Sequence, residues 1–163
     1  MKHWILMGGC ALLSLALQQA HAAAPDVTYL QNALDGRGRC LATGNDKVGM
    51  EACDKSPGQQ WIVAPGDLPG YNKLQTAGAG EMYCLTAQPN NRKNAVAMTT
   101  CGKADAQQWF VERISNVPKR MRLTNRETGR TRCLESQQTG LKLTPCSRNQ
   151  AGHLWRSDYL PNM

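Results

Sequence analysis

Beyond its first segment, the chain carries its apolar residues in short bursts. Stretches such as Val48 to Cys53, Ala95 to Cys101 and Leu141 to Cys146 run a few residues and are bounded by Gly, Asn, Asp or Pro, the punctuation of strands joined by turns. No long stretch sustains the period of an amphipathic helix. The pattern predicts an all-β chain. The exception is the start, where a cationic Met1-Lys2-His3 precedes a run from Trp4 to Leu17 that is almost wholly apolar or small. Ala20-His21-Ala22 then fits the small-x-small pattern that signal peptidase needs. This predicts a signal peptide over residues 1–22, cut near Ala22 or Ala24, and an exported protein, periplasmic or extracellular. The run is too short and too early for a membrane span; a retained anchor is the alternative. Cys10 follows Met7-Gly8-Gly9 but has too few apolar residues before it for a lipid-attachment box.

Three later segments repeat one pattern. A leucine stands ten residues before a Cys-Leu pair each time: Leu30 before Cys40-Leu41, Leu74 before Cys84-Leu85, Leu123 before Cys133-Leu134. A second cysteine follows, at Cys53, Cys101 and Cys146, and then Gln59-Gln60-Trp61, Gln107-Gln108-Trp109 and His153-Leu154-Trp155. The first cysteine precedes the tryptophan by 21, 25 and 22 residues. Four anchors in register three times over define a repeat of about 46 residues, with the domain spanning residues 23–163 and its modules falling near 27–68, 69–117 and 118–160. Four short strands per module predict twelve in all. Of seven cysteines, six remain once Cys10 leaves with the leader, and an even set in an exported chain implies disulfides. The repeat selects one pairing, because the cysteine after each leucine strand reaches the cysteine ending the next strand of its own module. It predicts Cys40–Cys53, Cys84–Cys101 and Cys133–Cys146, each closing a loop of roughly 15 residues worth about 3 kcal/mol.

Cys-Leu, then Cys, then Gln-x-Trp, three times over, resembles the ricin-type lectin domain across essentially the whole mature chain. Gln59-x-Trp61 and Gln107-x-Trp109 match its hallmark motif and His153-x-Trp155 is a degenerate copy. The resemblance implies a β-trefoil, a six-stranded barrel capped by three hairpins with pseudo-threefold symmetry, in which the three tryptophans are core residues. It also implies where sugar would bind: an Asp two residues after the first cysteine, an aromatic two before the second, and a polar residue just before the Gln. A carboxylate makes charge-assisted hydrogen bonds to sugar hydroxyls and a flat ring covers C–H surface. This chain departs from that set, with Ala42, Glu51 and Gly58 in the first module, Thr86, Thr99 and Ala106 in the second, and Glu135, Thr144 and Gly152 in the third. Only Glu135 keeps a carboxylate, so the third module, with Glu135, Thr144 and His153, is the sugar-binding candidate. The structural alternative for Glu135 is a solvated charge pairing with Arg130 or Arg132. In its eroded sites the chain resembles the binding subunits of bacterial cytolethal distending toxins, which contact partner subunits and cell surfaces.

Charge adds a second candidate. Losing Lys2 with the leader leaves 18 basic against 12 acidic side chains, a net charge of +6, which favours anionic partners. Basic residues concentrate from Arg113 to Arg132, and side-chain alternation would put Arg120 and Arg122 on one face of a strand and Arg130 and Arg132 on one face of the next, across a turn at Asn125 to Gly129. Met121, Leu123 and Cys133 would then point inward. Such a ribbon would bind anions; the alternative is a charged edge that resists strand pairing. Nothing points to catalysis, a cofactor or a metal. His153 is the only histidine left after the leader, no nucleophile motif accompanies it, no histidine cluster suits zinc, and the cysteines are committed to disulfides. No nucleic-acid motif is present. Two functions remain: a glycan-binding module for cells or polymers, alone or serving a toxin or hydrolase, and a protein-interaction subunit or inhibitor on the same scaffold with no sugar site.

Overall fold

The structure, a computed structural model, describes residues 27–44, 47–76, 78, 83–92, 95–115 and 119–157; the expected signal peptide lies outside them. The first strand of each repeat alternates buried and half-buried positions. Leu30, Leu74 and Leu123 are each 1% exposed while Gln31, Gln75 and Arg122 between them face outward. That period of two lets each strand wall a core on one side only. Thirteen strands form among the described residues: β1 (Val27–Thr28), β2 (Leu30–Asn32), β3 (Arg39–Gly44), β4 (Lys47–Ala52), β5 (Trp61–Pro65), β6 (Asn72–Thr76), β7 (Tyr83–Ala87), β8 (Val96–Thr100), β9 (Trp109–Arg113), β10 (Arg120–Asn125), β11 (Gly129–Gln137), β12 (Gly140–Pro145) and β13 (Trp155–Ser157).

All pairings are antiparallel, and six positions close into a ring. β1 pairs β5, β5 pairs β6, β6 pairs β9, β9 pairs β10, β10 pairs β13, and β13 pairs β2. β1 and β2 are one barrel strand interrupted at Tyr29, its first half serving β5 and its second β13. That interruption makes thirteen strands of the twelve expected. Thr28 and Ser157 hydrogen-bond across the closure. The hairpins β3–β4, β7–β8 and β11–β12 are the remaining elements, so the architecture is a β-trefoil with pseudo-threefold symmetry.

The core repeats with the sequence. Trp61, Trp109 and Trp155 are fully buried, and so are Leu41, Leu85 and Leu134 from the three Cys-Leu pairs. Each indole N–H donates to the carbonyl of its own module's leucine, Trp61 to Leu41 at 2.8 Å, Trp109 to Leu85 at 2.7 Å and Trp155 to Leu134 at 2.8 Å. A buried indole thus fills the barrel without leaving its donor unpaired. The disulfides join Cys40 to Cys53, Cys84 to Cys101 and Cys133 to Cys146, as the repeat predicts, at separations of 13, 17 and 13 residues.

Candidate functional site

A short 3-10 turn precedes each tryptophan strand: Pro57–Gln59, Asp105–Gln107 and Ala151–His153. Each ends on the residue two before the tryptophan, which is buried in all three modules. Gln59 accepts from the Asp54 backbone N–H at 3.0 Å and donates to the Ala52 carbonyl at 2.6 Å. Gln107 accepts from Gly102 N–H at 2.7 Å and donates to the Thr100 carbonyl at 2.8 Å and to Thr99 Oγ1 at 2.9 Å. His153 does the same work with a ring: Nδ1 accepts from Ser147 N–H at 3.0 Å, and Nε2 lies 2.7 Å from Thr144 Oγ1. With Nδ1 accepting, the neutral ring carries its proton on Nε2 and donates to Thr144. The degenerate motif is therefore an isofunctional one.

The structure brings Glu135, Thr144 and His153 together. Thr144 donates to Glu135 Oε2 at 2.8 Å, Gln137 to the same oxygen at 2.9 Å, and Gln150 to Oε1. His153 Nε2 is 3.8 Å from Oε2. Glu135 is 4% exposed and His153 fully buried. Glu135 is thus not the solvated charge expected as its structural alternative, and it pairs with neither Arg130 nor Arg132; the inward face of β11 turns it onto the His153 turn. Both its oxygens are engaged by side chains of its own module. The second module builds the same network from neutral groups, Thr86 and Thr99 hydroxyls 2.6 Å apart with Gln107 on both. The position before the Gln or His is closed in two modules. A Cβ at Gly58 would run into the Thr43 carbonyl, and one at Gly152 would stand 2.5 Å from the Ser136 carbonyl oxygen. A polar side chain there needs backbone movement.

The four arginines do not form one ribbon. The turn falls at Asn125 to Gly129, and Met121, Leu123 and Cys133 point inward, as the alternation predicts. But β10 lies along β9 and β13 and meets β11 only at Thr124 and Asn125, where the register shifts. Arg120 and Arg122 therefore stay on the barrel while Arg130 and Arg132 leave with β11. Arg122 pairs with Glu112 at 3.1 Å. Arg132 donates to the Leu143 carbonyl at 2.6 Å. Arg130 lies over the Phe110 ring, 3.7 Å from its centre. Arg120 stands opposite Arg156 of β13.

Sequence reasoning missed an open groove of about 750 Å³ between the β5–β6 loop and β9, with Pro65, Asp67, Leu68, Tyr71, Phe110 and Val111 among its walls. The Tyr71 and Phe110 rings meet edge to face, centroids 6.2 Å apart at 66°. The loop is tied at its base, Gly66 N–H to the Tyr71 carbonyl at 2.9 Å and Tyr71 N–H to the Leu68 carbonyl at 3.1 Å. Buried Gln108 brackets Asp67, donating to Oδ2 at 2.6 Å and accepting the Asp67 N–H at 3.0 Å. Lys73 reaches the same carboxylate at 2.9 Å. Its hydrogen bond, then that of Gln108 and the lysine charge, hold the Asp67 carboxyl below its ordinary 3.8. The signal was present in Pro65-Gly66-Asp67-Leu68-Pro69-Gly70, a double turn pattern that reads as a boundary between modules, at residue 68, rather than as a site. Among the described residues no group of histidine, cysteine and carboxylate side chains is placed to hold a metal ion, and no helix is long and apolar enough to cross a membrane.

Residues 26–122 match the family model of the ricin-type β-trefoil lectin domain. Among curated proteins no sequence matches this chain. Among solved structures, the designed threefold-symmetric protein ThreeFoil superposes with a TM-score of 0.67 at 19% identity over 82% of this chain and 99% of its own. SeviL, solved bound to the asialo-GM1 saccharide, superposes at 0.63 with 18% identity over 83% and 100%. A mosquitocidal holotoxin superposes at 0.69 with 16% identity over 83% of this chain, which spans 16% of the holotoxin. At these identities the likeness is one of fold.

Proposed function

The chain belongs to the family of ricin-type β-trefoil lectin domains, and on that premise we propose that it is an exported, non-catalytic module that binds glycans on cell surfaces or polymers. The observation that carries this reading is the Tyr71–Phe110 groove. The chemistry that the family places beside its two cysteines, a carboxylate acceptor and a flat ring, is complete in no module here but is collected in the groove as Asp67, Tyr71 and Phe110. Its volume of about 750 Å³ suits one or two sugar rings. Aromatic faces would cover sugar C–H surface, and Asp67, held ionised, would accept from hydroxyls. Three disulfides support export. The fold's presence within a far longer holotoxin supports the further reading that such a module can serve a toxin or hydrolase as its targeting part.

In this reading Glu135, Thr144 and His153 tie the third module together rather than touch sugar. A glycan array on the refolded domain tests it. Phe110→Ala and Tyr71→Ala should each lose the bound glycan, while Glu135→Gln keeps it. Loss with Glu135→Gln alone would move the site to the third module. A second reading, a protein-interaction subunit or inhibitor without sugar binding, draws on the closed positions at Gly58 and Gly152; an array blank for the folded wild-type domain would favour it.

A further inference from the structure

On the barrel's outer wall, three neighbouring strands carry a row of polar side chains in register. Arg120 of β10 stands opposite Arg156 of β13, and Arg156 stands opposite Gln31 of β2. The flanking pairs, Met121 with Trp155 and Trp155 with Asn32, are buried, so the row faces out. Gln31 donates to the Arg37 carbonyl at 2.8 Å and holds the β2–β3 turn beside the row. Arg37, Arg120, Arg156 and Gln31 line a small pocket of about 40 Å³. No described carboxylate forms an ion pair with Arg37 or Arg120. Like charges directly opposite across two strands oppose the pairing, so a negative group held by Arg120 and Arg37 beside Arg156 eases it.

We propose that Arg37, Arg120 and Arg156 form a site for a single oxyanion, the sulfate ester or carboxylate of an acidic glycan. Guanidiniums present paired donors that match the oxygens of such groups, and Gln31 serves by holding the Arg37 turn beside them. The pocket has room for one group of this size. A lipid surface is disfavoured because the basic charge is not continuous around it: Arg122 is neutralised by Glu112 and Arg132 is turned to a backbone carbonyl. The assignment of the oxyanion to a glycan rests on the lectin reading above; the pocket itself does not depend on the Tyr71–Phe110 groove.

The test is NMR of the arginine Nε–H groups in the whole domain, titrated with inorganic sulfate against chloride at constant ionic strength. Saturable shifts are expected at Arg37, Arg120 and Arg156 and not at Arg148, which does not line the pocket. Arg120→Gln and Arg37→Gln should each weaken sulfate binding about tenfold, the loss of one charge-assisted contact, with Arg148→Gln unchanged. Arg37 sits in a turn, so its variant keeps the test alive if Arg120→Gln fails to fold. A sulfated lactosamine oligosaccharide should bind more tightly than its desulfated form, and that difference should vanish with either variant but survive Phe110→Ala. Sulfate shifts no larger than those from chloride would overturn the pocket. Binding to phosphatidylserine vesicles without preference for the sulfated sugar would overturn the glycan assignment.

Discussion

In the second module Gln107 ties the turn before Trp109 to Gly102, Thr99 and Thr100, all neutral groups. In the third, His153 ties the turn before Trp155 to Ser147 and Thr144, and Thr144 passes the chain of hydrogen bonds to the Glu135 carboxylate. The two indoles stay in equivalent places, 2.7 Å and 2.8 Å from their leucine carbonyls. A buried hole of given shape thus fixes the placement of donors and acceptors, not the residue type. Imidazole meets the requirement because its two nitrogens offer one acceptor and one donor at a spacing close to that of an amide oxygen and nitrogen. The third module adds a buried carboxylate that the second lacks, and surrounds it with three donating side chains because an unpaired one would be costly.

Trp109→Ala and Trp155→Ala should each cost about 3–5 kcal/mol by urea denaturation, as other large core truncations do. A large inequality between them would mean that the two modules do not share one core. Next, removing the Cys84–Cys101 or the Cys133–Cys146 bridge by paired serine substitutions should cost about 3 kcal/mol each; a much smaller loss would place the stability of these hairpins in packing alone. The polar ties sharpen the contrast. His153→Gln should restore the second module's arrangement and change stability by less than about 1 kcal/mol, whereas His153→Leu strands Ser147 N–H and Thr144 and should cost about 2 kcal/mol. Equal losses in the two variants would show that the ring, not its hydrogen bonds, matters. The smallest effect belongs to Asp67. Lys73 and Gln108 favour its ionised form, so its contribution is full above the ordinary value of 3.8 and lost as pH falls through the lower folded value. Glycan binding by the groove should therefore stay flat from neutral pH to about pH 4 and decline only below. A decline near neutral pH would exclude Asp67 as the controlling group.

The fold was legible because it is written three times. Leu30, Leu74 and Leu123 with their Cys-Leu pairs, second cysteines and tryptophans state the module, and the repeat pairs Cys40 with Cys53 and Cys133 with Cys146 inside one module each. Inward and outward positions on β10 followed from alternation, since Met121 and Leu123 are buried around Arg122. Which elements become neighbours is a different kind of fact. Arg120 belongs with Arg156 and Arg37, not with Arg130 and Arg132, because barrel closure lays β10 against β13. Glu135 read as a sugar-site carboxylate with a solvated charge as the alternative, and only the packing of the Ala151–His153 turn against β11 shows it buried among hydrogen-bond donors. Tyr71 and Phe110, 39 residues apart at the two ends of the second module, meet only when β6 pairs β9. The sequence by itself determined the strands and the disulfides, since each rests on spacing within one module, and its resemblance to the lectin family implied the buried tryptophans. Tertiary structure alone decided the groove and the arginine pocket, since each is assembled from residues that only barrel closure brings together.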